Sequence, residues 1–317
     1  MIISQTIQYI CIILTNIHRD MEDILRFETI AEYNALNKTE TLHPLVSLIH
    51  FENAEPRKLR RMYYGFYAIF LKQVKCGDLR YGLNYYDYQE GTMIFLAPGQ
   101  VIGENQDELY QPNGYALVFH PDLLRGTTLG KTIEDYTFFS YASNESLHLS
   151  EQEKQIILES FSKIEFEIAH TIDKHSKKLI VSNIELLLNY CMRFYDRQFI
   201  TRETPHKGSL ERFEFLLKDY FQSDKPQNIG LPSVGYFADQ LHLSTNYFGD
   251  MFKKETGKTV KEYILLKLID IAKEKIFDRS KSINEIAYEL GFKYPQHFTR
   301  LFKKETGYTP NEYRALN

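Results

Sequence analysis

Apolar positions in the C-terminal third fall at helical spacing, and they do so in two matching units. Ile283, Ile286, Ala287 and Leu290 form one stripe. Phe298, Leu301 and Phe302 begin the next. Gly291 stands between them, where a helix end takes a left-handed residue without a side-chain clash. An earlier unit repeats the pattern: Phe237-Ala238-x-x-Leu241-x-Leu243 answers Ile286-Ala287-x-x-Leu290-x-Phe292, one residue being inserted between the two. Phe252-Lys253-Lys254-Glu255-Thr256-Gly257 then recurs as Phe302-Lys303-Lys304-Glu305-Thr306-Gly307. Phe248, Thr259, Glu262 and Tyr263 likewise match Phe298, Thr309, Glu312 and Tyr313. Such internal repetition predicts two related helix–turn–helix units, over about 234–257 and 283–307. Between them, Thr259 to Ile276 carries Tyr263, Ile264, Leu268, Ile269 and Ala272 and predicts one long helix. Its roughly 18 residues at about 1.5 Å each give close to 27 Å.

Further upstream the pattern changes twice. Residues 22–37 read as a short helix. From Leu42 the chain becomes β-like, with aromatic and β-branched runs at Val46–Phe51, Tyr63–Leu71, Leu79–Tyr88, Thr92–Leu96 and Tyr115–Phe119. Turn-forming stretches such as Lys75-Cys76-Gly77-Asp78 and Gln111-Pro112-Asn113-Gly114 separate them. Short strands so spaced predict a barrel or jelly roll. Tyr63–Leu71 is apolar on both faces, as a strand covered on both sides would be. From Ser150 the period turns helical again, opened by Ser150-Glu151-Gln152-Glu153, a hydroxyl cap with Glu at the third position. A second helix is expected over about Ser176 to Phe199, and it is more apolar than one stripe requires. Packing on the barrel and a dimer interface both account for that excess. Thr201 to Ser209 is polar with Pro205 and Gly208 and reads as an interdomain linker. Glu211 to Phe221 predicts an amphipathic helix, and Asp224 to Pro232 a loop.

The polar faces of the second helix in each unit carry the chemistry. On the later one, Gln296, Thr299, Arg300 and Lys303 share a face, next to Pro295 and Lys304. Bidentate donors, a hydroxyl and cations are the groups that read base edges and hold phosphates in a major groove. On the earlier helix the corresponding face holds Thr245, Asn246, Gly249, Asp250 and Lys253, with Lys254 beside it. It is the weaker face, since Asp250 would approach a negatively charged groove. A rigid linker of about 27 Å would hold two such helices close to one DNA turn apart, roughly 34 Å.

These residues identify a resemblance. Ile286-Ala287-Tyr288-Glu289-Leu290-Gly291-Phe292, then Phe298-Thr299-Arg300-Leu301-Phe302-Lys303, then Thr309-Pro310-x-Glu312-Tyr313-Arg314 resemble the DNA-binding domain of AraC/XylS-type transcriptional regulators. The resemblance covers about 210–317. The first unit departs from it at Gly249-Asp250, where the family often carries a basic or polar pair. Within it, Glu90-Gly91-Thr92 through Gln100 and Phe119-His120-Pro121-Asp122-Leu123-Leu124 resemble, more loosely, a cupin-like sensor domain. The resemblance implies an α+β chain. A cupin-like β-barrel or jelly roll with flanking helices would occupy 21–149, a helical packing or dimerisation segment 150–200, a linker 201–209 and an all-α domain 210–317. It implies double-stranded DNA and RNA polymerase as partners, a small-molecule effector in the barrel and a homodimer. Tyr64, Phe66 and Tyr86 are the candidate effector-stacking residues.

Composition narrows the classes. The chain has 317 residues, 43% hydrophobic and 25% charged, which suits a two-domain soluble protein. Its net charge is −4, yet residues 210–317 hold 17 Lys and Arg against 15 Asp and Glu, a net of +2. Cys11, Cys76 and Cys191 are far apart and odd in number, giving neither a disulfide framework nor a zinc pattern, and a reducing cytoplasm fits. His43, His50 and His120 are scattered, with no His-x-His pair, so no metal or other cofactor is expected. No phosphate loop or nucleophile elbow is present, and the chain is not expected to be an enzyme. The alternatives are a cupin-type small-molecule-modifying enzyme with an appended DNA-binding half, and a ligand-free regulator set by abundance or a protein partner. The apolar run Ile7–Ile17 lacks a charged start and is too short to span a bilayer. Translation is expected to begin at Met21, with 1–20 an annotation artefact.

Overall fold

The computed structural model describes residues 24–72, 91–103, 108–142, 145–201 and 203–315. Two compact units divide at Tyr195 and Asp196. The expectations for 1–20, for the strand Leu79–Tyr88 and for Tyr86 lie outside the described residues, Leu79–Tyr88 wholly so.

The first unit begins with β1 (Ile24–Phe27), α1 (Ile30–Leu36) and β2 (Val46–His50). The single helix expected over 22–37 is therefore corrected to a strand and a helix. The helix starts only at Thr29, whose hydroxyl accepts the Glu32 N–H while Glu32 caps the Thr29 N–H in return. Then come β3 (Arg57–Lys58), β4 (Arg61–Tyr64), β5 (Tyr67–Lys72), β6 (Thr92–Leu96), β7 (Gln100–Ile102), β8 (Leu109–Tyr110) and β9 (Tyr115–Phe119). The single strand expected over Tyr63–Leu71 is thus broken at Gly65-Phe66. There the chain passes from one sheet to another, and Gly65 N–H donates to the Phe27 carbonyl at 2.8 Å. A Cβ on Gly65 would lie 3.1 Å from Glu28 Cα and 3.3 Å from the Phe27 carbonyl oxygen, so the crossing favours glycine. Short helices α2 (Pro121–Leu124) and α3 (Leu129–Thr132) and strand β10 (Leu147–His148) lead to α4 (Glu151–Ala169) and α5 (Ser176–Thr201), whose last turns, from Asp196 on, belong to the second unit.

Five strands form an antiparallel sheet in the order β10-β6-β5-β9-β2. A smaller sheet runs β1-β4-β7, with β1 parallel to β4, and β3 pairs with β8. Alternate residues explain the two-sided apolar strands. Ala68, Ile94, Leu96, Ala116 and Val118 join Phe27, Tyr33, Tyr64 and Phe66 in one core cluster. On the opposite face of the large sheet Phe95 packs on Phe138 at 4.5 Å, and Tyr115 on Phe161 of α4 at 5.8 Å. Among the described residues the sheets face each other without closing into a barrel.

The second unit is helical: α6 (Glu203–Gln222), α7 (Lys225–Ile229), α8 (Val234–Leu241), α9 (Thr245–Thr256), α10 (Val260–Ile276), α11 (Ile283–Glu289), α12 (Pro295–Thr306) and α13 (Pro310–Ala315). Two segments differ from the sequence expectation. Residues 203–209, read as linker, lie in α6, where Pro205 falls in the first turn and removes no intrahelical hydrogen bond. The loop expected over Asp224–Pro232 contains α7, which starts with Pro226 near its N-terminus. Phe213 of α6 anchors this unit. Phe237, Phe248 and Phe252 surround it edge-on at 5.1 to 5.3 Å.

The repeat is structural as well as sequential. Phe252 meets Tyr263 at 5.3 Å, and Phe302 meets Tyr313 at 5.4 Å. Gly257 and Gly307 end their helices at φ +71° and +83°, each donating to the carbonyl of the preceding Lys253 or Lys303. Thr256 and Thr306 donate to the Phe252 and Phe302 carbonyls at 2.8 and 2.7 Å. The shared phrase Lys-Lys-Glu-Thr-Gly is therefore first of all a helix-ending device.

Candidate nucleic-acid interface

Each unit closes its turn with one hydrogen bond. Leu243 N–H donates to Ala238 O at 3.0 Å, and Phe292 N–H donates to Ala287 O at 3.0 Å. The offset is 49 here and 50 in the later helices, so the inserted residue falls just past the turn. The residue before each donor is left-handed: His242 at φ +57° and Gly291 at φ +93°. Both turns aim a following helix by the same local geometry, with Ser244 capping α9 through the Tyr247 N–H and Pro295 opening α12.

On α12 the apolar face is committed to the core. Phe298 and Phe302 are fully buried, 5.7 Å apart. That burial fixes the helix rotation, so Gln296, Arg300, Lys303 and Lys304 are exposed, with Pro295 and Thr299 half-buried beside them. The structure brings these predicted residues together on one open face, with Glu305 at its end. Two further exposed residues extend it, and the sequence reading passed them over. His297 packs against the Tyr294 ring at 5.5 Å, and the Lys293 ammonium lies 6.0 Å from that ring. The signal for His297 was its place three residues before Arg300 and seven before Lys304 on the same helix, whereas Lys293 precedes the helix and offered only its charge.

On α9 the face is more mixed. Thr245, Asn246 and Lys253 are exposed, whereas Gly249 and Asp250 are half-buried. Lys254 is engaged within the chain, its Nζ lying 3.1 Å from Asp196 Oδ2. Carboxylates that flank α9 and α12 serve as helix caps. Glu262 and Glu312 have their pKa values lowered, first by the backbone N–H groups of Thr259 and Thr309. Tyr263 donates to Glu214 at 2.6 Å, and burial followed by that bond pushes its pKa up to about 12.

α10 joins the two helix–turn–helix units and is itself clamped at both ends. Thr259 and Glu262 form a capping box at its start. At its far end Arg314 of α13 donates from Nε to Ile276 O at 2.6 Å and from Nη2 to Asp278 O and Lys281 O at 3.3 and 3.0 Å. In the sequence Arg314 was part of a resemblance; in the structure it is a positioning residue.

The candidate effector residues separate. Tyr64 lines a cavity of about 100 Å³ between the two sheets of the first unit and donates to Met62 Sδ at 3.3 Å. Phe51, Met62, Phe70, Ile94 and Ile102 form its apolar wall, and Arg57, Lys58, Arg60 and Lys72 also line it. Phe66 is fully buried in the core and does not line the cavity. Among the described residues no cluster of His, Cys, Asp and Glu could hold a metal ion, and no helix is long and apolar enough to cross a membrane. Cys191 is buried, which pushes its thiol pKa up.

A family described as "Helix-turn-helix domain" matches residues 237–316. The chain is 36% identical over 116 residues to an uncharacterized HTH-type transcriptional regulator, YobQ, of Bacillus subtilis strain 168, a match covering 32% of this chain and 47% of the relative. It is 25% identical over 132 residues to a probable transcriptional regulator, LumQ, of Photobacterium leiognathi, covering 41% and 48%. The matches thus span about half the length of these curated relatives. Among solved structures, the C-terminal domain of the response regulator yesN from Fusobacterium nucleatum is 26% identical, covering 34% of this chain and 98% of that one, with a TM-score of 0.30. ToxT from Vibrio cholerae is 15% identical, covering 85% and 96%, with a TM-score of 0.27. Residues 237–316, which hold both turns, are therefore a helix-turn-helix domain of the AraC type.

Proposed function

We propose that this chain is a sequence-specific, DNA-binding regulator of transcription whose α9 and α12 enter successive major grooves. The observation that carries the reading is the open face of α12, where Gln296, Thr299, Arg300 and Lys303 stand opposite the buried Phe298 and Phe302. Arg300 and Gln296 read base edges; Thr299, Lys303 and Lys304 supply base or phosphate contacts. α9 makes the weaker contribution, through Thr245, Asn246, Gly249 and Lys253, with Asp250 facing an unfavourable potential. The net charge of +2 over 210–317 is small, so local lysines must carry the phosphate contacts.

The first unit acts as the sensor in this reading. The cavity beside Tyr64 takes the effector. The apolar excess of α5, with Leu179 and Leu186 exposed seven residues apart, supports a homodimer through that helix. RNA polymerase is the partner at the promoter, and the cytoplasm the compartment.

Selection of bound duplexes from a random pool tests the proposal. The full chain and residues 209–317 would be run in parallel. One shared motif makes the C-terminal unit a complete reader, and paired half-motifs with the full chain alone add the dimer. Absence of enrichment with both, in the presence and absence of a small-metabolite extract, overturns sequence-specific binding.

A further inference from the structure

The repeat supplies an internal control for the two reader helices. Tyr247 and Lys254 of α9 correspond to His297 and Lys304 of α12, each pair lying on one helix face seven residues apart. On α12 this face is bare. His297 is exposed, and the Lys304 side chain is 79% exposed, paired with its own neighbour Glu305 at 3.7 Å. On α9 the same face is covered. Tyr247 is 5% exposed, with the Phe199 ring edge-on against it at 5.2 Å. Lys254 is 35% exposed and held by Asp196 at 3.1 Å. Both covering residues come from the last turns of α5, three positions apart, and so share a face of that helix.

We infer that the end of α5 is a strap over the first reader helix, in which Asp196 holds Lys254 in place of a DNA phosphate. The inference rests on the reading that α9 faces DNA. A carboxylate on a lysine makes the same charge-assisted contact that a phosphate oxygen would make, so the two compete for one ammonium. The Asp196 side chain is 54% exposed, and a pair this open is weak, so a duplex displaces it at a cost in affinity. Phe199, 3% exposed, supplies the anchor that returns Asp196 to Lys254 when DNA leaves.

The test uses the full chain and random-sequence duplexes of roughly three helical turns, with affinity measured from about 50 to 200 mM salt. Asp196→Asn frees Lys254 and keeps the side-chain shape. It should bind more tightly at low salt and lose about threefold more affinity than the wild type across that range, the signature of one added phosphate contact. Asp196→Asn with Lys254→Ala should return to the wild-type salt slope. A gain that survives in the double variant would be mere net charge and would overturn the strap. An unchanged slope in Asp196→Asn, with Lys304→Ala still flattening it, would also overturn the strap while leaving DNA binding intact. Failure of every form to bind any duplex would remove the strap together with the proposed function.

Discussion

Gly291 stands against the backbone of Gly230: a Cβ built on Gly291 would lie 2.8 Å from both the carbonyl carbon and the carbonyl oxygen of Gly230. The second helix–turn–helix is seated on the loop after α7 by a contact with no side chain on either side. Gly291→Ala should destabilise the second unit by roughly 2–3 kcal/mol, combining left-handed strain with a clash against backbone that cannot rotate away. Gly307→Ala, at φ +83° in open space, should cost only about 1 kcal/mol. Urea titration of both variants, followed by helical circular dichroism, checks the ranking; equal losses would mean that the Gly230 contact carries no weight.

Arg300→Ala should weaken binding to the selected site by about 1–3 kcal/mol and relax base preference at one position. Lys303→Ala should weaken all duplexes alike. Repeating the selection with each variant checks this, and wild-type specificity from Arg300→Ala would take the guanidinium off the base edge.

Gly249 lies inside α9 with nothing within 4 Å of a built Cβ. Gly249→Ala should therefore stabilise the unit by about 0.5–1 kcal/mol, as expected for a helix interior. Duplex affinity should fall, because the added methyl stands where α9 approaches the groove. Greater stability with unaltered affinity would place Gly249 away from DNA.

Arg314→Lys should cost roughly 2 kcal/mol in unfolding free energy, since an ammonium cannot serve three carbonyls that a guanidinium fork reaches together. Hydrogen exchange should show the loss at the end of α10 and in 277–282. Protection equal to the wild type there would show that the fork is dispensable.

Acid should weaken the second unit through its helix caps. Glu262, Glu285 and Glu312 all have pKa values lowered from 4.5, in each case first by the backbone N–H of Thr259, Ser282 or Thr309. Because the folded value lies below the unfolded one, the stabilisation is present above pH 4.5 and is lost as pH falls through the folded values. Replacing all three by Gln, which still caps but does not titrate, should flatten the acid limb of a melting-temperature profile. An unchanged limb would assign acid sensitivity to other carboxylates, such as Glu289 between Lys275 and Lys281.

Much of the second unit was legible in the chain because its signals are local. Helix starts at Ser244, Thr259 and Ser282 and ends at Gly257 and Gly307 depend on residues within one turn of themselves. The rotation of α12 follows from Phe298 and Phe302, four apart, so the open face could be read before any packing was known. Strands β6 and β9 were legible for a like reason, as short apolar runs between turn residues.

Local pattern misled where long-range partners decide. Ile24–Phe27 is a strand because β4 lies beside it, and the helical reading had no access to that neighbour. Tyr63–Leu71 looks like one strand, yet Gly65 divides it between two sheets. The 203–209 stretch has linker composition, but a Pro in the first turn costs a helix little, and the core residue Phe213 holds α6 from further along.

The sequence by itself determined the repeat, the two turns, the connecting helix and the residues that face outward on α12, because helical periodicity and capping are properties of neighbours in the chain. Only the tertiary structure decided that Arg314 clamps α10, that Gly291 meets Gly230, and that Lys254 is taken by Asp196 while Lys304 is not. Those contacts join positions tens of residues apart. No spacing rule in the chain encodes them; they arise where packed helices bring a charge, a carbonyl or a bare backbone within reach.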